Sequence, residues 1–76
     1  MTATTATTYA EYLAAIFGDR HPWEVIVEFE LEDITRVQLD EWVGHNEDVA
    51  EQQGLTLDDQ HSARLRADLW DAKEAA

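Results

Sequence analysis

Acidic residues dominate this chain and restrict what it can fold into. Seventeen Asp and Glu residues stand against five Lys and Arg, so the formal net charge is −12 over 76 residues. Like charges repel one another in a compact state and lower its stability. The chain has no Cys, so no disulfide can offset that repulsion. Folding must therefore depend on one small core built from regularly spaced apolar residues.

Apolar content separates a foldable body from a tail. Hydrophobic residues make up 45% of the chain, which is ordinary for a globular protein and too high for a disordered one. Residues 1–7 form a low-complexity Thr/Ala stretch, which predicts a disordered tail. We expect residues 8–74 to form a single small domain.

Helix-start signals precede the first apolar stripe. Thr8 and Glu11 have the capping-box spacing. The following residues 9–17 place apolar side chains at helical intervals, and Gly18 occupies the usual C-terminal position. The pattern predicts a helix that ends at Gly18.

The second half of the chain has two further helix patterns, each with a start signal followed by an amphipathic stripe. Thr35 and Gln38 precede a long amphipathic stripe that ends at Gly54. Thr56 is predicted to cap a last helix of similar length. Because the link between the two helices is short, we expect an antiparallel helical hairpin.

Residues 23–31 have the sharpest local pattern, an alternation of apolar and mostly acidic residues. Period two with β-branched and aromatic residues on one face predicts a strand. The rival interpretation is a helix, because Glu24, Glu28 and Glu32 are spaced four residues apart. Apolar residues would then surround most of that helix, so we favour the strand.

The predicted fold class is therefore α+β and mostly helical, with a helix, one strand and a helical hairpin. An all-α four-helix bundle is the alternative. A single strand leaves its backbone groups without partners unless it pairs with another strand. We therefore expect the strand to pair across a homodimer, since two-fold dimers are the commonest oligomers.

The acids form the candidate binding surface. On a strand, Glu28, Glu30 and Glu32 would lie about 6.7 Å apart on one face, close to the spacing of successive phosphates in a nucleic-acid strand. More acids follow on the polar side of the long helix. The alternative is a solvated surface that opposes aggregation, although solubility needs a net charge of only about 2 to 8. The predicted partner-binding residues are Glu24, Glu28, Glu30, Glu32, Asp40, Glu41, Glu47, Asp48 and Glu51.

Three tryptophans are many for so short a chain. Trp23, Trp42 and Trp70 are predicted to be core or subunit-interface anchors, although one exposed Trp would be a candidate binding hot spot.

The motifs of enzymes and metal sites are missing from the sequence. Its three His residues are scattered, and no HExxH, calcium-loop, Ser-His-Asp or Gly-rich phosphate motif occurs. A chain this small also has little volume for a substrate pocket. We expect no catalytic residue, metal or cofactor, and hence no enzyme.

Direct contact with nucleic acid or membrane is also disfavoured. The predicted hairpin has acids where phosphate contacts need Lys and Arg. Arg64 and Arg66 form the only basic pair, and we expect them to make salt bridges with Asp68 or the adjacent helix. No apolar run has the length of a membrane span and no signal-peptide core follows Met1, so we expect a cytoplasmic location in a prokaryotic host cell.

In size, acidity and lack of catalytic motifs, the chain resembles the small acidic inhibitors of phages and mobile elements, of the anti-CRISPR and antirestriction types. The resemblance implies a nucleic-acid mimic that blocks the cationic groove of a basic nucleic-acid-binding protein or complex. The alternative is a small dimerising adaptor or regulatory subunit, similar to antitoxins, that binds through an apolar surface containing Trp.

Overall fold

Four helices make up the fold in the computed structural model, which describes residues 8–75. They are α1 (Tyr9–Phe17), α2 (Pro22–Glu28), α3 (Arg36–Gln52) and α4 (Asp59–Ala75). No strand occurs within residues 8–75. The predicted disordered tail at residues 1–7 lies outside the described residues.

The first helix begins and ends where the sequence predicts. The Thr8 hydroxyl accepts a hydrogen bond from the Glu11 backbone N–H at 3.2 Å, which satisfies one of the unpaired donors at the helix start. At the other end, Gly18 has a φ of 70° and donates its N–H to the Ala14 carbonyl at 2.8 Å. A left-handed residue in this position favours glycine.

The α+β prediction is wrong, because residues 22–28 form helix α2. Pro22 is the first helical residue, where its missing N–H costs nothing. The Glu24 carboxylate accepts a hydrogen bond from the His21 N–H at 3.1 Å, which completes the helix start. Two consecutive residues, Val25 and Ile26, are both fully buried. Adjacent residues of a strand face opposite sides, so a strand could not bury both in a one-sided core.

A left-handed residue ends α2. Glu30 has a φ of 56°, the only positive φ of a non-glycine residue in the described part of the chain. The Leu31 N–H bonds the Ile26 carbonyl at 2.8 Å, and the Glu30 N–H bonds the Val27 carbonyl at 3.3 Å. These two bonds form a Schellman motif, and the apolar side chains of its two ends, Ile26 and Leu31, are both buried.

The two long helices follow the predicted hairpin pattern with one correction. Thr35 and Gln38 form a reciprocal capping box at the start of α3. Asp58, not Thr56, caps α4. Its carboxylate accepts hydrogen bonds from the backbone N–H groups of Gln60 and His61 at 2.9 and 3.0 Å. The same bonds, led by that from His61, lower the pKa of Asp58.

Helix α4 is the common partner of the other three. It packs most extensively against α2 and also contacts α1 and α3. The core between them is almost entirely aliphatic and aromatic. Its buried hydrophobic residues are Tyr12, Phe17, Val25, Ile26, Leu31, Leu39, Val43, Ala50, Leu55, Leu65 and Leu69.

The helical structure also changes the argument for a dimer. The homodimer was expected because a single strand would need a partner. Since residues 22–28 are helical, their backbone groups are satisfied within the chain and that reason no longer applies.

Candidate acidic binding face and apolar groove

Four of the nine predicted partner-binding acids are used inside the fold. Glu24 completes the start of α2. Glu28 binds Arg20 through two contacts, at 2.5 and 3.0 Å, and the Arg20 guanidinium lowers the pKa of Glu28. Asp40 lies 3.4 Å from the Arg66 guanidinium, and Glu47 is buried. These four carboxylates have internal roles, so they are weaker candidates for partner contacts.

Glu47 is the centre of a buried polar cluster that joins three helices. Tyr12 of α1 donates its hydroxyl proton to one Glu47 carboxylate oxygen, and Arg66 of α4 binds the other at 2.9 Å. Burial, followed by the hydrogen bond to Glu47, raises the pKa of Tyr12. The Arg66 guanidinium also binds the Ser62 hydroxyl. The cluster is structural, because both oxygens of the buried carboxylate have partners.

Gly44 lies beside this cluster. A Cβ atom at Gly44 would lie 3.6 Å from a terminal nitrogen of Arg66, which is an ordinary contact distance. The long Arg66 side chain crosses the surface of α3 here and reaches Asp40 and Glu47.

The other five predicted acids are exposed. Glu30 and Glu32 lie in the connection between α2 and α3. Glu41, Asp48 and Glu51 lie on α3, and we call these three residues the α3 acidic face. At 100° and 1.5 Å per residue they share one side of the helix, about 10.5 Å apart from Glu41 to Asp48 and about 4.5 Å from Asp48 to Glu51 along its axis. The regular spacing of about 6.7 Å expected for a strand does not exist.

Every cationic side chain is already engaged. Arg20 binds Glu28, Arg66 binds Asp40 and Glu47, and Arg64 lies 3.8 Å from Asp68, as predicted for Arg64 and Arg66. The remaining two cations lie over the Trp70 ring, with Arg36 at 5.1 Å and Lys73 at 4.5 Å from its centroid. None of the five Lys and Arg residues forms an ion pair with the α3 acidic face in the described structure.

The three tryptophans have different environments. Trp42 stacks on Phe17 at a centroid distance of 5.4 Å and touches Phe29 at the same distance, so it is a core anchor. Trp70 is half-buried beneath its two cations. Trp23 is 56% exposed and is not a core residue.

An apolar groove runs beside Trp23. One part of it, about 550 Å³, lies between the start of α1, the start of α2 and the second half of α4. A second part, about 420 Å³, is lined by Trp23 and Val27 of α2 and by Ala75. Both parts share His21 and Ala72, and we call them together the α2–α4 groove.

Tyr9 forms part of the groove wall. Its ring lies under the Arg64 guanidinium, 4.2 Å from centroid to carbon, and against His61. The hydroxyl is buried without a hydrogen bond of good geometry to any described residue. Burial and the neighbouring Asp68 carboxylate raise the pKa of Tyr9.

The sequence pattern did not reveal this groove. Its residues come from three helices that are distant in sequence, and Trp23 and Val27 were assigned to the apolar side of a strand. The available signal was the i, i+4 spacing of Trp23 and Val27, which places both on one side of a helix.

Within residues 8–75, no group of three or more His, Asp or Glu is arranged to hold a metal ion. No helix in the same range is both long enough and apolar enough to cross a membrane. No protein-family model, curated protein or solved structure matches the chain.

Proposed function

We propose that this protein is a non-enzymatic acidic inhibitor that binds the cationic nucleic-acid-binding surface of a partner protein or complex. The observation that carries the proposal is the distribution of charge. All five cations are engaged by internal carboxylates or by aromatic rings, whereas Glu41, Asp48 and Glu51 are exposed together on α3.

Electrostatics supply the mechanism. An excess of one charge on a small protein steers it toward surfaces of the opposite sign and raises association rates, by about 10- to 1,000-fold where the field is focused. A groove that binds nucleic acid has such a surface. Because the α3 acids lack an even spacing, the proposed mimicry is of the negative field of nucleic acid and not of a ladder of phosphates.

The main experiment reverses the charge of the α3 acidic face. A triple variant with Lys at Glu41, Asp48 and Glu51 is compared with a control that has Lys at Asp19, Asp59 and Glu74. All six residues are exposed, and both variants change the net charge by the same amount. The partner is captured from host lysate on the wild-type protein, and association rates are then measured with the purified partner.

We expect the α3 variant to associate about tenfold or more slowly than the control. Competing DNA or RNA should displace the wild-type protein, and raising the salt concentration should weaken binding steeply. Equal effects of the two variants, or binding that ignores both salt and nucleic acid, would exclude the proposed inhibitor. Circular dichroism establishes that both variants remain helical.

The adaptor or regulatory-subunit alternative has one observation in its favour. Trp23 is 56% exposed at the edge of an apolar groove, although aromatic side chains of this size usually contribute to a core or an interface. Substitution of Trp23 by Ser distinguishes this alternative. An adaptor would lose its partner, whereas an acidic inhibitor that acts through α3 would keep it.

A further inference from the structure

The α2–α4 groove is apolar and accessible. Trp23 and Val27 are 56% and 55% exposed and lie one helical turn apart on α2. Ala72 and Ala75 form the opposite wall, and small side chains there leave room for an occupant. Contiguous exposed apolar surface of this kind commonly marks a site of protein interaction.

The rim of the groove is acidic. Asp68 and Asp71 of α4 line the larger part, and Glu24 and Glu28 lie beside Trp23 and Val27 on α2. Two of these four acids form ion pairs, Glu28 with Arg20 and Asp68 with Arg64. Asp71 and Glu24 make no ion pair within residues 8–75, although one Glu24 oxygen accepts the His21 N–H, so Asp71 is the stronger candidate for a partner contact.

The charge of the rim argues against a second copy of this chain as the occupant. Two chains of net charge −12 would bring acidic rims together, and like charges across an interface oppose association. An occupant with Lys or Arg on its flanks would be attracted by the same acidic rim.

The length of the groove suits a helix. Asp68 and Ala75 are seven residues apart on α4, which corresponds to about 10.5 Å or two helical turns. Helices that bind in apolar grooves place anchors at i, i+3 or i+4, and i+7, and those anchors cover the same length.

From the apolar lining, the acidic rim and this length, we propose that the α2–α4 groove binds an amphipathic helix of a partner protein, with apolar anchors facing Trp23, Val27 and Ala72 and with Lys or Arg on its flanks. The inference does not depend on the inhibitor function, because the groove lies outside the α3 acidic face.

The test uses a synthetic peptide of Leu and Lys, about 15 residues long so that it can form a helix, with Leu on one helical face. Two further peptides serve as controls. One has the same composition in scrambled order, and the other has Glu in place of Lys. Binding is measured by calorimetry, and the contact surface is mapped by amide chemical shifts in ¹⁵N-labelled protein.

We expect the Leu/Lys peptide to bind and to shift amides of Tyr9, Trp23 and Ala72. The scrambled and Leu/Glu peptides should bind at least about tenfold more weakly, which corresponds to about 1.4 kcal/mol. Trp23→Ser should weaken the Leu/Lys complex by at least the same factor. Val37→Ser, a change at a 67% exposed residue outside the groove, should leave it unchanged.

A pair of charge reversals separates the groove from general attraction. Asp71→Lys should weaken the complex more than Glu41→Lys, although both change the net charge equally. Equal weakening by these two variants, equal binding of the scrambled peptide, or amide shifts confined to α3 would overturn the proposal. So would a self-associated dimer that Trp23→Ser dissociates, because the groove would then bind a second copy.

Discussion

Glu30 holds a backbone conformation that its side chain disfavours. With φ at 56°, its Cβ approaches the following carbonyl oxygen, which costs about 1 to 2 kcal/mol for residues other than glycine. The Schellman motif keeps it there because both hydrogen bonds and the buried Ile26–Leu31 ends favour that turn. The position is therefore a local weakness just after a short helix that carries part of the core.

Glu30→Gly should stabilise the protein by about 1 kcal/mol, since glycine adopts this φ without a steric cost. Urea unfolding followed by circular dichroism measures the change. Glu32→Gly is the matched control, because it removes the same charge at an exposed loop residue without positive φ. A stability gain at residue 32 that equals the gain at residue 30 would assign the effect to charge.

The buried Glu47 carboxylate predicts an asymmetric response to substitution. Glu47→Ala leaves the Tyr12 hydroxyl and part of Arg66 without an acceptor and should cost about 3 kcal/mol. Glu47→Gln keeps an acceptor for Tyr12 and should cost less. Glu51→Ala, four residues later on the exposed side, should change the free energy of unfolding by less than about 0.5 kcal/mol. If Glu47→Ala and Glu47→Gln lower the free energy of unfolding equally, the charge of Glu47 and not its hydrogen bonds would account for the loss.

At the scale of the elements, Trp42 joins three segments. It lies on α3, stacks on the last residue of α1 and touches Phe29 at the end of α2. Its ring therefore packs the ends of α1 and α2 against α3.

Trp42→Ala should cost about 3 kcal/mol or more, as truncations of large core side chains do. A domain of this size rarely has more than about 3 to 5 kcal/mol of stability, so little stability should remain and the melting temperature should fall sharply. Thermal melts monitor the loss. Trp23→Ala is the control, and its small effect follows from the 56% exposure of Trp23. A cooperative melt of Trp42→Ala at the wild-type temperature would contradict this assignment.

Local signals predicted the elements whose ends depend on local chemistry. Thr8, Gly18 and Thr35 were assigned correctly, because a cap involves only residues within one turn. Residues 23–31 were not, since their period-two alternation favours a strand over the helix that the spacing of Glu24, Glu28 and Glu32 also allows. The burial of Val25 and Ile26 against a helix that begins at residue 59 decided between the two, and that contact is not visible in a short window. Pro22 at the first helical position and Glu24 two residues later are the local features that start this helix.

The candidate site was only partly predictable for the same reason. Exposure of Glu41, Asp48 and Glu51 follows from helical periodicity on α3. Glu47 is buried against Tyr12, which is 35 residues away. A local pattern therefore predicts only an exposed acid at residue 47. The α2–α4 groove joins residues from three helices and has no local pattern.

For the whole molecule, the two tyrosines predict how the fold responds to alkali. Burial raises the pKa of Tyr9 and of Tyr12 above the ordinary value of about 10, and the chain has no other tyrosine. A folded-state pKa above the unfolded one gives stability that is present below pH 10 and is lost as the pH rises further.

Phenolate absorbance should therefore stay absent near pH 10 and appear together with the loss of helical circular dichroism at higher pH. Tyr12→Phe, which retains the Arg66 partner of Glu47, should make the free energy of unfolding fall less steeply above about pH 10, because Tyr9 is then the only tyrosine that releases a proton on unfolding. Phenolate that forms near pH 10 while the helices remain intact would contradict the buried positions of both hydroxyl groups.

The dependence of every helix on α4 has a consequence for the newly made chain. Synthesis proceeds from α1 to α4, so the first three helices leave the ribosome before their shared packing partner exists. Short helices are marginal alone in water. A released chain that ends before Asp59 should therefore show no cooperative unfolding, whereas one that ends at Ala75 should fold, and urea unfolding followed by circular dichroism distinguishes the two. Until its last helix emerges, this protein is exposed to proteases and chaperones.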